Sequence, residues 1–216
     1  MIRTAPEGRW FIAGAWIIAL ALIAAAVRTG RPAWIVAAVL WTLLAVWVVA
    51  FFRDPERRWS KGERLIVSPA DGKVVSIVEV DEPAFFGSRA QRISIFMNVF
   101  DCHVNRYPTD GTVVYRHYVA GQFGHAGTEK ASLSNEQSSV GLTTARGKLL
   151  VRQIAGLIAR RIVTDHPVGT SVQQGQRLGM IRFGSRVDLF LPPGTRVLAR
   201  VGDTTRVGMT VVAEWS

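Results

Sequence analysis

The stretch Leu65-Ile66-Val67-Ser68-Pro69-Ala70-Asp71-Gly72-Lys73-Val74-Val75-Ser76-Ile77-Val78-Glu79-Val80 decides how the body of this chain is read. Two Val/Ile-rich runs, 65–67 and 74–80, flank a short segment of turn formers. Pro presets φ, Asp bonds its own backbone, and Gly accepts angles that other residues resist, so Ser68 to Gly72 reads as a turn. β-branched residues suit a pleated, half-buried surface. The stretch is therefore strand, turn, strand.

The same texture continues downstream. Strands are expected at Arg92 to Val99, Gly111 to Tyr118, Leu149 to Ile154, Leu178 to Phe183, Val187 to Leu191, Arg196 to Val201 and Thr210 to Ala213. Ile154 to Val163 fits neither a helical nor a strand period and is left as either. No repeat, low-complexity tract or long linker interrupts this region. Residues 53–216 are read as one compact β-rich domain of α+β class.

Upstream the composition changes. Hydrophobic residues make up 49% of the 216, and the excess sits in Trp10 to Val27 and Ala33 to Phe52, both free of charge. Each run is close to the roughly 20 residues that carry a helix across a hydrocarbon core of about 30 Å. Arg28-Thr29-Gly30-Arg31-Pro32 breaks them apart, so residues 1–52 are read as a two-helix membrane hairpin. Arg3 and Arg9 precede the first span, and Arg53, Arg57 and Arg58 follow the second, against Arg28 and Arg31 between them. The positive-inside rule then puts both ends, and the β-rich domain, on the cytoplasmic side of the cell membrane. Two alternatives are a cleaved signal peptide ending in Ala24-Ala25-Ala26 and a pair of buried core helices, which the lack of a polar face disfavours.

The single cysteine, Cys102, excludes an internal disulfide and any multi-cysteine zinc site, in keeping with a reducing compartment. A net charge of +10, from 26 Lys and Arg against 16 Asp and Glu, asks for an anionic partner. Arginines beside membrane spans are drawn to anionic headgroups, and no nucleic-acid-binding pattern is present, so the partner expected is the membrane.

No GxGxxG, Walker loop, HExxH or GxSxG signature occurs, so dinucleotide, nucleotide, zincin and ordinary α/β-hydrolase readings lack their signatures. What remains is Asp71 in its turn, His103 in Asp101-Cys102-His103-Val104-Asn105, and Ser185 in Arg182-Phe183-Gly184-Ser185-Arg186. A serine hydroxyl becomes a nucleophile when an imidazole takes its proton, and a carboxylate can hold that imidazole in the needed tautomer. By residue type alone, such a triplet is weak evidence.

Longer blocks are more specific. Phe52-Arg53-Asp54-Pro55, Ser68-Pro69-Ala70-Asp71-Gly72-Lys73-Val74, Phe96-Met97-Asn98-Val99-Phe100-Asp101-Cys102-His103-Val104-Asn105-Arg106, Lys130-Ala131-Ser132-Leu133-Ser134-Asn135-Glu136 and Gly179-Met180-Ile181-Arg182-Phe183-Gly184-Ser185-Arg186 occur in that order. In order and spacing they resemble the short, archaeal-type phosphatidylserine decarboxylase proenzymes across the whole domain. Longer members carry a Leu-Gly-Ser-Thr-type sequence where this chain has Phe183-Gly184-Ser185-Arg186.

The resemblance implies that Ser185 attacks the Gly184 carbonyl, aided by His103 as base with Asp71 orienting it. The amide becomes an ester, and elimination and hydrolysis leave a covalent pyruvoyl group on residue 185 with loss of ammonia. Fragments 1–184 and 185–216 result. The pyruvoyl carbonyl would then condense with the amine of a serine-headed phospholipid, acyl or isoprenoid-ether, and accept the electrons released with carbon dioxide. Neither pyridoxal phosphate nor a metal is expected, and His103 is the expected acid for the final protonation.

Other polar residues carry further expectations. Lys130, His125 and Asn135 are substrate-binding candidates, with loop ordering as the competing role. Asp101 and Asn105 are expected to shape the His103 turn. Arg182 and Arg186 bracket the scissile pair, either attracting an anion or sitting on a solvent face. Exposed β surface and the hairpin would permit a homodimer. The rivals from other classes are an Asp-His-Ser hydrolase that leaves its own chain intact and a tethered module that binds anionic lipid without chemistry.

Overall fold

A computed structural model describes residues 3–57, 60–121, 135–156, 161–182 and 185–216. The chain divides into two units, Met1–Glu56 and Arg57–Ser216.

The first unit is a helical pair, α1 (Arg9–Thr29) and α2 (Pro32–Phe51). Gly30 ends α1 in the left-handed region at φ 60°, its N–H bonded to the Ala26 carbonyl, and Pro32 starts α2. Glycine takes that φ without a Cβ clash, and proline is tolerated where the first helical N–H has no partner anyway. The helices meet at Ala15, Ala19 and Ala45, flanked by Trp16, Trp41 and Val48. Small residues allow close approach, and Trp41 Nε1 donates to the Ala15 carbonyl at 2.9 Å. Ile17, Leu20, Val36, Leu40 and Leu43 are exposed, unlike the buried faces of core helices. Both helices are long and apolar enough to cross a membrane.

In the second unit every regular element among the described residues is a strand, so the domain is β-rich and the helical share of the α+β expectation is confined to α1 and α2. The strands are β1 (Leu65–Val67), β2 (Gly72–Glu82), β3 (Ser88–Met97), β4 (Val104–Arg106), β5 (Gly111–Val119), β6 (Gln137–Thr144), β7 (Gly147–Ala155), β8 (Arg161–Thr164), β9 (Ser171–Val172), β10 (Arg177–Arg182), β11 (Ser185–Leu191), β12 (Arg196–Val197), β13 (Thr204–Thr205) and β14 (Val211–Glu214). Eight of them form one curled antiparallel sheet in the order β13-β2-β3-β11-β7-β6-β5-β9. Two three-stranded sheets, β1-β14-β12 and β4-β10-β8, complete the unit.

Alternation sorts the side chains of the large sheet into two faces. Ile93, Ile95 and Met97 of β3, Val187, Leu189 and Leu191 of β11, and Leu149, Val151 and Ala155 of β7 line the main core. Glycine is required where backbones come closest. A Cβ on Gly72 would strike the Phe96 carbonyl oxygen, and one on Gly179 would strike that of Val163. These contacts bring β2 against β3 and β10 against β8.

β6 was not expected from the sequence because it is rich in polar residues. Its Ser138 and Ser139 are buried but bonded, to Thr164 and Arg152 respectively. The ambiguous 154–163 segment is strand at both described ends, in β7 and β8. Arg196 to Val201 is strand only over β12, although Leu198 N and Ala199 N still donate to the Val212 carbonyl.

Tyr107 is buried in this core, its hydroxyl 3.3 Å from His166 Nδ1. Burial pushes its phenol up to about 12, with Asp165 adding to the rise and Arg116 opposing it. The folded state thus holds the phenolic proton more tightly than the unfolded chain. Its contribution is complete below pH ~10 and is lost as pH climbs to ~12, about 3 kcal/mol in all. Urea unfolding at pH 9 and 11.5 should show this loss in the wild type and a smaller one in Tyr107→Phe.

Candidate active site

Ser185 opens β11, opposite Met97 of β3 and Ala155 of β7. Strand alternation turns it, with Val187 and Leu189, toward the core. Its side chain is fully buried, and its Oγ donates to Met97 Sδ at 3.3 Å. A thioether is a weak acceptor, so the hydroxyl is oriented without being strongly engaged.

β4 brings a second polar side chain to the same sulfur. Asn105 is fully buried and points Nδ2 at Met97 Sδ, 3.7 Å away. Its Oδ1 accepts from Gln153 Nε2 at 2.8 Å, across from β7. The sequence reading gave Asn105 only a turn-shaping role and did not single out Met97 or Gln153. The available signal was that Met97 and Asn105 share one motif block with His103.

His103, also fully buried, immediately precedes β4. Its backbone carbonyl accepts from Ile181 N at 3.4 Å, so it lies beside the strand that leads to Ser185. Its position is prepared by a tight turn. Asp101 Oδ2 accepts from Asn98 N, and Asn98 Oδ1 accepts from Phe100 N, each at 2.8 Å. His103 Nδ1 lies 3.1 Å from the Asp101 carbonyl oxygen. A carbonyl only accepts, so Nδ1 carries the proton and Nε2 of the neutral ring is the basic nitrogen.

Asp71 lies in the turn leading into β2. Arg57 grips its carboxylate with both terminal nitrogens, Nη1 to Oδ1 at 2.5 Å and Nη2 to Oδ2 at 2.7 Å. Val207 N donates to the same Oδ1 at 2.7 Å. Among the described residues these are the hydrogen bonds of the carboxylate, and none of them runs to His103. Sequence reasoning counted Arg57 only as a charge flanking a membrane span. Its pairing with Asp71 is a tertiary contact that no local pattern announces.

Asn135 sits at the rim of the same region, where its Nδ2 donates to the Ala155 carbonyl at 2.7 Å and Ala155 N donates to the Glu136 carbonyl at 2.9 Å. Since Ala155 faces Ser185 across the β7–β11 pair, Asn135 ties the strand end next to the serine. Lys130, His125 and Gly184 lie outside the described residues. Arg186 is not on a solvent face. It is buried on the far side of the sheet and clamps Asp188 through Nε–Oδ1 at 2.7 Å and Nη2–Oδ2 at 2.8 Å. The open polar cleft lined by Thr109, Thr143, Arg146, Gln174 and Trp215 contains none of these side chains.

The sheet thus presents a buried serine hydroxyl with a carboxamide donor nearby and a preset imidazole on the neighbouring chain segment. Such a set can activate a nucleophile and receive its proton in a site closed to bulk water. The family model described as phosphatidylserine decarboxylase matches residues 44–213. The chain is similar to a phosphatidylserine decarboxylase proenzyme of Symbiobacterium thermophilum, 47% identical over 209 residues that cover 96% of this chain and 94% of the relative. It is similar to proteins of the same name from Aromatoleum aromaticum, 46% identical over 91% of each chain, and Geobacter metallireducens, 43% identical over 96% of this chain and 94% of the relative.

Proposed function

This chain belongs to the phosphatidylserine decarboxylase family, and from that membership we propose that it cuts itself between Gly184 and Ser185 and then decarboxylates a serine-headed phospholipid. The observation that carries the residue assignment is the placement of Ser185 Oγ, buried at the start of a strand and held, among the described residues, by a sulfur alone. A hydroxyl in that state keeps its nucleophilic lone pairs and loses little when it moves to attack.

Ser185 Oγ attacks the Gly184 carbonyl carbon while His103 Nε2 takes the hydroxyl proton. The amide C–N bond breaks, the nitrogen takes that proton back, and an ester joins the two halves. Loss of the residue 185 α-proton then expels the Gly184 carboxylate from Cβ, and hydrolysis releases ammonia. Residue 185 fits the resulting pyruvoyl group, because its strand is clamped on both edges and its side chain faces a site that excludes water. When formed, that group supplies the electron sink for decarboxylation without a separate cofactor. His103, on its rigid turn, is the group that hands a proton back to the product. Fragments 1–184 and 185–216 stay associated through the pairing of β11 with β3 and β7.

Asp71 is assigned as the supporting carboxylate of the set. Bound to Arg57 and Val207, it pins the turn before β2 rather than bonding His103 in this arrangement. Asp71→Asn keeps the shape but weakens the ionic pair, and is expected to slow self-cleavage ~10- to 100-fold, less than loss of the serine. Time courses of the uncut chain on denaturing gels measure this.

The helical unit is assigned as a membrane hairpin with the β-rich unit on the cytoplasmic side, supported by the arginines flanking both spans. It would keep the site at the headgroup layer. The test of the function is carbon dioxide release from vesicles of carboxyl-labelled phosphatidylserine, run beside an intact-mass spectrum. Two fragments and labelled gas support the reading. An uncut chain that binds the vesicles and releases no gas points to a lipid-binding module instead.

A further inference from the structure

Two buried donors converge on one poor acceptor beside the reacting atom. Asn105 Nδ2 lies 3.7 Å and Ser185 Oγ 3.3 Å from the same Met97 sulfur. The orientation of the Asn105 amide is not arbitrary. Thr164 Oγ1 donates to Gln153 Oε1 at 3.0 Å, and Gln153 Nε2 donates to Asn105 Oδ1 at 2.8 Å. Ser138 Oγ lies 2.9 Å from Thr164 Oγ1, and with the Thr164 proton already given to Gln153, Ser138 is the donor. Every link therefore runs the same way, from Ser138 through Thr164 and Gln153 to Asn105. Turning both amides over would aim the Asn105 carbonyl lone pairs at a sulfur that has no proton to give.

A fully buried carboxamide normally has its N–H groups satisfied by oxygen, because an underused donor costs free energy. Here a relay of four residues delivers that donor to a thioether, next to the hydroxyl that must carry negative charge. Resting on the assignment of Ser185 as the self-cleaving nucleophile, we propose that Asn105 is a catalytic residue of self-cleavage, donating Nδ2–H to Ser185 Oγ as charge develops there.

The charge falls on that atom twice. In the first step the O–H bond breaks, its proton goes to His103, and Oγ bonds the Gly184 carbonyl carbon as the C–N bond breaks and the nitrogen is protonated. In the second, a base takes the residue 185 α-proton, its electron pair becomes the Cα=Cβ bond, and the Cβ–Oγ bond breaks. Oγ leaves as one oxygen of the Gly184 carboxylate. A single donor that shares the Met97 sulfur with Oγ can turn to Oγ at both points, and the relay that holds its Oδ1 limits the reorganisation needed.

The test follows cleavage of newly synthesised full-length chains in detergent for wild type, Asn105→Ala and Asn105→Ser. Removing a donor of this kind slows a reaction by about 100- to 1000-fold, which is the loss expected for Asn105→Ala. Asn105→Ser has nearly the same volume and the same lost relay contact but retains an O–H donor, and is expected to cut at least ~10-fold faster than Asn105→Ala. Equal slow rates for the two variants would mean packing alone is at work and would overturn the proposal. So would Asn105→Ala cutting at the wild-type rate. If the wild type itself stays uncut, the Ser185 assignment fails first; if the wild type is cut and Asn105→Ala is cut equally fast, the role of Asn105 falls alone.

Discussion

Ser185→Ala leaves the chain at full length and releases no carbon dioxide from phosphatidylserine vesicles. The loss is expected to be complete because the substitution removes the atom on which the proposed self-cleavage and pyruvoyl formation both depend. Wild type run alongside gives two masses, with the 185–216 fragment lighter by one ammonia than its serine-initiated form. The structural consequences of the change are small. The deleted hydroxyl is buried, but its acceptor is the Met97 sulfur, so alanine leaves no strong acceptor unsatisfied. Stability should fall by less than about 1 kcal/mol. Circular dichroism and a thermal melt close to wild type would then assign the lost activity to chemistry rather than folding. A variant cut at the same bond would remove Ser185 from the role given to it.

The second large effect lies on the opposite face of the same strand. Arg186 and Asp188 are both buried, in two parallel hydrogen bonds that begin one residue past Ser185. Asp188→Asn leaves the guanidinium charged in a site that water does not reach. Breaking a buried pair from one side costs about 3–5 kcal/mol, because the guanidinium loses the carboxylate that balances its charge. For a domain of this size that lowers the melting temperature by roughly 10 °C. Replacing both partners, Arg186→Met with Asp188→Leu, removes the charge altogether and should recover most of the loss. A shift in the single variant under about 1 kcal/mol would show that the pair is not the buried clamp described. Self-cleavage of Asp188→Asn should slow as well, since the clamp begins one residue from Ser185 on the strand that pairs with Met97.

Much of the molecule was legible in the residues. The apolar runs with Gly30 and Pro32 between them marked α1 and α2, because helix termination by those residues is a local property. β1 fell at the expected residues, and β2, β3, β5, β7, β10, β11 and β14 within a few of them, since β-branched runs bounded by turn formers report strands locally. β6 escaped. Its serines and threonines are buried by bonds to Thr164 and Arg152, partners far away in the chain, and no window of sequence contains both ends of such a bond. Arg186 was misplaced for a related reason. Period-two alternation assigns Arg186 and Asp188 to one face, but whether that face meets solvent depends on what packs over it.

The sequence by itself determined the two-helix and β-rich division, the membership of a decarboxylase family, and the serine, histidine and aspartate on which the chemistry is proposed to rest. These follow from local propensity and from motif blocks that each sit in a short span of chain. Only the tertiary structure decided which partners those residues meet. It gave Asp71 to Arg57, set the His103 tautomer with the Asp101 carbonyl, and carried a relay from Ser138 to Asn105 beside Ser185. Such pairings join strands distant in sequence, and they form because burial obliges each polar group to find whichever partner the sheets bring within reach.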